Sequence, residues 1–385
     1  MATNVINIRE FVDVSTSVAA TPANVSRDWG ALLFVQKGTN GQTTTVTTYA
    51  DLAAVLDAMS NTEAAKAATV FYGTGYNGIT PTSPITVAVI DGASTSAFQT
   101  AFGALLGSEA YYHIVLDTNF TDDCKKAAAA LVEAGNATAA HKLYLDDHST
   151  NAITEALADD VTSIAAYCKT NNYNHTAVCW SESTNTNKYY SAAMASFFAT
   201  RRFDTSSRQM ASLAHKRASG IAPVDLTITV ANDTTTPTQR FQKLDSKNCN
   251  VYANIKVVGL PAWERGNLPS GDDISDFISA DYLNYRVSVN VFQLLQSVPR
   301  LAMNQDGASL LNNTLVMCLT ELASAGVISG GVCLDGDVVP EPGYKIYIPI
   351  PTGVARANGL WEGIYCVGRL TGSAKKIVIG NELKK

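Results

Sequence analysis

Three sets of residues in this sequence have types and spacings that chemistry can use: a glycine-rich run, four aspartate pairs, and scattered histidines and cysteines. Gly73, Gly75 and Gly78 in the run YGTGYNG match the GxGxxG spacing of a dinucleotide fingerprint, and the preceding ATVFY reads as a strand. In such a fingerprint the third glycine opens a helix whose N-terminus receives the pyrophosphate. Here Ile79, Thr80, Pro81 and Pro84 follow and lead straight into the strand-like ITVAVI, so the context predicts a loop between two strands. The aspartates pair at 122/123, 146/147, 159/160 and 272/273, a pattern that can supply paired carboxylates or hold a divalent metal. Three of these pairs fall where a helix is expected to start, a position where free backbone N–H groups and the macrodipole favour acids; they read as caps. The fourth, Asp146/Asp147, ends the strand-like HKLYLDD with His141 and His148 around it. It is the one place to inspect for a metal, but its spacing matches no standard ligand set and a polar loop is the plainer reading.

The histidines, at 113, 141, 148, 175 and 215, form no HExxH, and no serine lies in GxSxG. Seven cysteines, at 124, 168, 179, 249, 318, 333 and 366, are odd in number and never spaced CxxC, which removes zinc ribbons and thioredoxin-like redox chemistry. They read as small buried hydrophobes in a reducing compartment. A Cys/His nucleophile pair brought together in space finds no local activating context. No catalytic residue, metal or cofactor is expected.

Charged residues make up only 16% of the 385 residues, against about 25% in ordinary domains. Thr, Ser and Asn keep the surface polar instead, in runs such as GQTTTVTTYA, SESTNTN and NDTTTPTQ. Such neutral groups are buried against a partner at lower desolvation cost than Lys or Glu, which points to a subunit of a large assembly. A net charge of −6 argues against nucleic acid as a direct partner. The basic cluster Arg201, Arg202, Arg208, Lys216 and Arg217 has only Phe203 among it for stacking and reads as a solvated or domain-contact segment. Arg9, Glu10 and Asp13 interrupt the N-terminal segment, so it does not read as a signal peptide. No uncharged apolar stretch of about 18 residues suggests direct membrane insertion.

The elements that would carry these residues form two halves. A short alternation (Val5, Ile6, Asn7, Ile8) on a small-residue tract ending at Pro22 resembles a tethered, isolated strand. ALLFVQKG, ITVAVI, YYHIVLD, HKLYLDD and HTAVCW then alternate as strands with helices at YADLAAVLDAMS, 97–106, 123–134, 160–170 and 189–201. That alternation predicts an α/β (mixed α+β) fold with a mixed or parallel sheet covered by helices. A loop-rich stretch from Gly220 to Gln239 is a soft boundary. Beyond CNVYANIKVVG, apolar residues at Ile274, Ile278, Tyr282, Tyr285, Val289, Phe292 and Leu295 step by three and four, predicting one long helix stopped by Pro299. A second helix over 309–325 buries Leu311, Leu315, Cys318 and Leu322, with Gly326 at its C-cap. The end is strand: YKIYIPI, LWEGIYCVGRL and, past a Gly372-Ser373 joint, Lys376, Ile377, Val378 and Ile379, which must pair with an existing sheet edge.

This order of segments resembles the sheath proteins of contractile bacteriophage tails, in particular a short sheath-like family. The resemblance is carried by FVDVSTS, ATVFYGTG, ATRRFDTSSRQMASLAHKRASGIAP, NVYANI through WERG, DDISDFISADYLNYRVSVNVFQLLQSVPRLAMNQDGASLL, and SAGVISGG. It implies a two-domain homopolymer of stacked rings around a tail tube, bounded by baseplate and tail-terminator proteins, assembled in the host cytoplasm and carried in the virion tail. It implies contraction that drives the tube through the host envelope. The expected layout is an N-terminal arm over 1–22, an outer α/β domain over 23–238, an inner tube-proximal domain over 239–372 and a C-terminal arm over 373–385. In such sheaths the arms (here Val5–Ile8 and Lys376–Ile379, the latter hinged at Gly372 and Ser373) add strands to neighbouring subunits. Two other readings stay open at this level: a non-contractile structural or surface-array protein, and a nucleotide-binding α/β enzyme using the Gly73–Gly78 loop.

Overall fold

The structure, a computed structural model, describes residues 27–136, 141–149, 153, 160–182, 189–203, 209–227, 236–255, 260–329, 331–332, 338–339 and 343–371. A six-stranded sheet forms its centre: β1 (Leu32–Gly38), β2 (Thr45–Tyr49), β3 (Ile85–Asp91), β4 (His113–Leu116), β5 (Leu143–His148) and β6 (Thr176–Trp180), in the order β2-β3-β1-β4-β5-β6. Five strands are parallel and β2 adds antiparallel to the edge at β3. The sequence explains both positions. Leu32, Leu33, Phe34 and Val35 form an unbroken apolar run that suits a strand covered on both faces, and all four are fully buried. Each such side chain contributes about 1.5–3 kcal/mol through burial. The Thr-rich β2 lies mostly exposed at the edge, with Thr48 and Thr86 hydroxyls 3.0 Å apart across the pair.

The predicted strands ALLFVQKG, ITVAVI, YYHIVLD, HKLYLDD and HTAVCW all enter this sheet. ATVFY does not. It lies inside α2 (Glu63–Thr74), which follows α1 (Leu52–Met59). Thr62 caps α2 by accepting the Ala65 N–H, and Ala64, Ala65, Ala67, Ala68 and Phe71 line its buried face. The β-branched Thr69 and Val70 and the aromatic Phe71 and Tyr72 suit a strand, but the alanine face that begins at Ala64 and the Thr62 cap decide the matter in favour of helix.

Further helices cover the sheet: α3 (Thr95–Leu105), α4 (Asp122–Asn136), α5 (Ile164–Thr170) and α6 (Tyr190–Ala199). Next, α7 (Pro237–Ser246), which runs across position 238, leads to the pair β7 (Tyr252–Ile255) and β8 (Leu260–Trp263). Asn250 ties this part to the sheet: its N–H donates to Val178 O at 2.8 Å and its carbonyl accepts from Trp180 N–H at 3.0 Å. The Asn250 side chain in turn exchanges two 2.8 Å bonds with the Asn267 backbone.

The long helix α8 spans Ile274–Ser297, capped by Asp273. Ile274, Ile278 and Tyr285 of the predicted stripe are buried, whereas Tyr282, Val289, Phe292 and Leu295 are only half-buried. Ser275, Ser279, Asp281, Asn284, Ser288 and Asn290 are buried instead. The helix therefore packs on more than one side and carries a polar seam. α9 (Gln305–Ser324) buries Leu311, Leu315, Cys318 and Leu322 as expected. It ends on Gly326 at φ 73°, with Gly326 N–H bonded to Ala323 O and Val327 N–H to Leu322 O, the paired bonds of a Schellman stop.

The C-terminal part adds the short pair β9 (Gly331–Val332) and β10 (Val338–Val339), then β11 (Tyr344–Tyr347), α10 (Gly353–Ala357) and β12 (Tyr365–Gly368). β11 and β12 pair antiparallel. A single buried cluster extends from Ala31, just before β1, to Ile328 beyond α9, so both halves share one core. Among the described residues, no helix is long and apolar enough to cross a membrane.

Candidate functional site

The glycine-rich run is built into the end of a helix. Gly73 lies within α2, Gly75 follows Thr74 at φ 59°, and Tyr76 and Ile79 close a tight turn through reciprocal backbone bonds of 2.9 and 3.0 Å. Gly75 N–H is spent on Ser196 Oγ at 2.7 Å. A phosphate at this place would meet the negative end of a helix and an amide already bonded, the reverse of a dinucleotide cradle.

The aspartates behave as the cap reading expects. Asp122 and Asp123 lie in the first turn of α4. Asp160 accepts the Thr162 and Ser163 N–H groups at 3.1 and 2.9 Å ahead of α5, which begins at Ile164, and Asp273 accepts Ser275 N–H at 2.9 Å. Asp159 lies outside the described residues.

Asp146 and Asp147 sit on β5 itself, fully inside the protein, not in a polar loop. Asp146 Oδ1 accepts the Tyr144 hydroxyl at 2.6 Å and lies 3.7 Å from Lys125 Nζ. Asp147 accepts the Ser191 N–H at 3.0 Å and the Ser191 hydroxyl. Burial pushes its carboxyl up to about 7, against the pull of both Ser191 bonds. His148, lowered by burial, lies 3.9 Å from Asp122.

His141 has a different partner from the one its sequence neighbourhood suggests. Its Nδ1 lies 3.0 Å from Asp281 Oδ1 on α8, and His175 Nε2 lies 3.4 Å from the same oxygen. The other ring nitrogen of His175 is 3.7 Å from Glu133, and the Tyr112 hydroxyl donates to Asp281 Oδ2 at 2.7 Å. Burial alone would keep Asp281 protonated, yet His175 and His141 outweigh it and hold the carboxyl well below its usual range. Burial likewise disfavours the charged form of His175, but Asp281 and Glu133 prevail and raise it to about 10. Sequence reading passed over this cluster because its members are up to 140 positions apart; a buried Asp in the middle of a long helix was the available signal.

Cys124, Cys168, Cys179, Cys249 and Cys318 are buried and Cys366 half-buried, all as free thiols. Burial raises Cys168 and Cys179 well above the ordinary thiol range and Cys366 to about 11, so these side chains stay protonated and are poor nucleophiles. Cys333 lies outside the described residues.

Exposed large apolar side chains concentrate between Leu310 and Leu370, among them Met317, Tyr347, Val354 (76% exposed), Leu360, Tyr365 and Val367. On the β11–β12 hairpin, Tyr344, Ile346 and Cys366 pack inward against the two hydrophobic clusters. Lys345, Tyr347, Tyr365 and Val367 point outward, with the Tyr347 and Tyr365 rings 5.0 Å apart. Apolar residues on both faces of a two-stranded hairpin are expected where a further surface covers one of them.

The roots of both chain ends are pinned. Arg27 is buried, donates its backbone N–H to the Tyr285 hydroxyl at 3.2 Å and its guanidinium to His141 O, and lies 3.3 Å from Glu109. Thr371 N–H donates to Val327 O and its hydroxyl to Gly326 O, both at 2.9 Å. The proposed arm residues Val5, Ile6, Asn7, Ile8, Lys376, Ile377, Val378 and Ile379, and the spacer Gly372 and Ser373, lie outside the described residues.

The helix-covered mixed sheet, the long α8–α9 hairpin and the C-terminal strand pair make up a fold shared with chains of contractile sheath assemblies. The chain is similar over 100% of its length, and of the other's, to a chain of the anti-feeding prophage (AFP) baseplate, with a TM-score of 0.66 and 14% identity. It is similar to a chain of the AFP helical sheath in the contracted state, again over 100% of both chains, with a TM-score of 0.61 and 12% identity. A chain of the PVC sheath complex, from an extracellular contractile injection system in the contracted state, aligns over 97% of this chain and 96% of its own with a TM-score of 0.60 and 12% identity. No protein-family model matches, and no curated protein matches.

Proposed function

We propose that the chain is a structural subunit of a contractile sheath. The observation that carries this reading is the end-to-end likeness to a chain of a helical sheath in its contracted state. The subunit polymerises into stacked rings around an inner tube, meets a baseplate at one end and a terminator at the other, and contracts to drive the tube through a host envelope. The particle is a phage tail or an injection device of the same build. On contraction the subunits, with an outer domain over 23–238 and a tube-proximal domain over 239–372, rotate as nearly rigid bodies into new contacts.

In this reading the arms at Val5–Ile8 and Lys376–Ile379 add strands to neighbouring subunits, where backbone pairing supplies affinity and alternate side chains supply register. The outward apolar face of β11–β12 supports a partner surface there. Gly372 and Ser373 are the hinge that lets an arm stay paired while the subunit body rotates. Each subunit need release only a few kcal/mol on contraction, because many subunits act together.

The likeness to a chain of the AFP baseplate favours a second reading, in which the subunit forms the ring joining sheath to baseplate. Negative-stain electron microscopy of the purified chain separates them: long cylinders of uniform diameter support the sheath, and single rings support the baseplate collar. Monodisperse monomers over a wide concentration range would overturn both.

A further inference from the structure

Among the described residues, His141, His175 and Asp281 place three potential ligand atoms within 4.8 Å of one another, all in buried side chains. We propose that these three residues form a structural site for a divalent transition metal of the zinc class, clamping the sheet to α8. His141 stands just before β5, His175 just before β6, and Asp281 two turns into α8, so an ion held here joins the first half of the chain to the second.

The geometry is that of ligands converging on a shared centre. Ligands about 2.0–2.1 Å from a tetrahedral ion lie about 3.3 Å from each other. His141 Nδ1 and His175 Nε2 lie 3.0 and 3.4 Å from Asp281 Oδ1. His141 is fully buried, with Nδ1 facing Asp281 Oδ1 at 3.0 Å and no hydrogen-bond partner at Nε2. Swinging the two rings together by about 1.5 Å closes the widest gap to the tetrahedral spacing.

The surroundings supply what metal ligands need behind them. Glu133 Oε2 faces His175 Nδ1 at 3.7 Å, the carboxylate–histidine arrangement that fixes which nitrogen is free to ligate. The Tyr112 hydroxyl holds the far oxygen of Asp281 at 2.7 Å and so turns Oδ1 toward the histidines. With both imidazoles neutral, the ion, Asp281 and Glu133 sum to zero charge, while nearby Arg27 is paired with Glu109. Such a buried site is loaded as the chain folds.

The test uses the untagged full-length chain, purified without chelator. Elemental analysis is expected to find about one zinc-class ion per chain, retained in His215→Ala, whose imidazole lies elsewhere, and lost in His141→Ala and Asp281→Asn. Wild-type protein stripped with a chelator and then given Co2+ should develop the visible ligand-field bands of a four-coordinate site, and Zn2+ should raise its melting temperature by several degrees. This second arm needs no variant to fold. Less than about one-tenth of an equivalent of metal in the purified chain, with neither cobalt bands nor a thermal shift in the stripped protein, overturns the proposal.

Discussion

The hydroxyl of Tyr112, just before β4, donates a 2.7 Å hydrogen bond to Asp281 Oδ2 on α8, joining residues 169 positions apart inside the protein. Both side chains are fully buried, so neither finds water when the other is removed. Tyr112→Phe is expected to cost about 1.5–3 kcal/mol, the range for a hydrogen bond to a charged group. Urea unfolding checks this: the midpoint falls while the slope stays the same. An unchanged midpoint would mean that the bond is not part of the stability of the folded chain.

Asp147 gives the stability a pH dependence of unusual sign. Burial raises its carboxyl to about 7, above the ordinary unfolded value near 4, so the folded chain holds this proton more tightly than the unfolded one. The contribution is fully present below about pH 4 and is lost as pH rises through 7. Asp147→Asn is therefore expected to be more stable than wild type by roughly 1–3 kcal/mol at pH 8, with the gap closing toward pH 4. Melting curves of the two proteins across that window decide it, and parallel pH profiles would count against the assignment.

Two glycines of one motif should respond with opposite signs. A Cβ on Gly75 would stand 1.9 Å from Ile79 O at a φ of 59°, whereas a Cβ on Gly73 meets nothing within 4 Å. Gly75→Ala is expected to destabilise by about 2 kcal/mol or more, and Gly73→Ala to stabilise by about 0.5–1 kcal/mol as an ordinary helix substitution. Neither should alter heat signals on adding NAD or ATP. Saturable nucleotide binding that Gly73→Ala abolishes would revive the enzyme reading.

Removing the C-terminal arm separates folding from assembly. Deleting Ala374–Lys385 leaves in the chain every residue of the shared buried cluster that runs from Ala31 to Ile328, so a folded, soluble subunit is expected. That subunit should no longer form cylinders by electron microscopy. Polymers of normal length from the truncated chain would sink strand donation by this arm.

The outward face of the β11–β12 hairpin offers an independent check. Tyr365 and Val367 are each more than half exposed, so replacing both with Ser should shift the melting temperature little. If this face is covered in the polymer, the double variant assembles only at higher concentration, as sedimentation would record.

Where a residue's fate depends on its near neighbours, the sequence was sufficient. The apolar run of β1, the 3.6-residue stripe of α9 and its Gly326 stop, and the acids at helix starts all follow from local periodicity and backbone chemistry. ATVFY marks the limit of that logic, since its four β-branched and aromatic residues are ambiguous until the alanine face starting at Ala64 is counted with them. The expectation of an assembly rests on the thinly charged, Thr-rich composition.

The tertiary structure alone decided which polar groups are buried together. α8 turns Asp281, Asn284 and Ser288 inward because the sheet and α9 cover it from different sides, and a single-stripe reading has no term for a second neighbour. His141 and His175 become adjacent because β5 and β6 pair in parallel with Tyr144 opposite Thr176, which levels the two strand starts. Parallel pairing across a helical crossover is a long-range event with no local sequence signature, so the cluster on Asp281 exists only once the sheet and α8 have closed on each other.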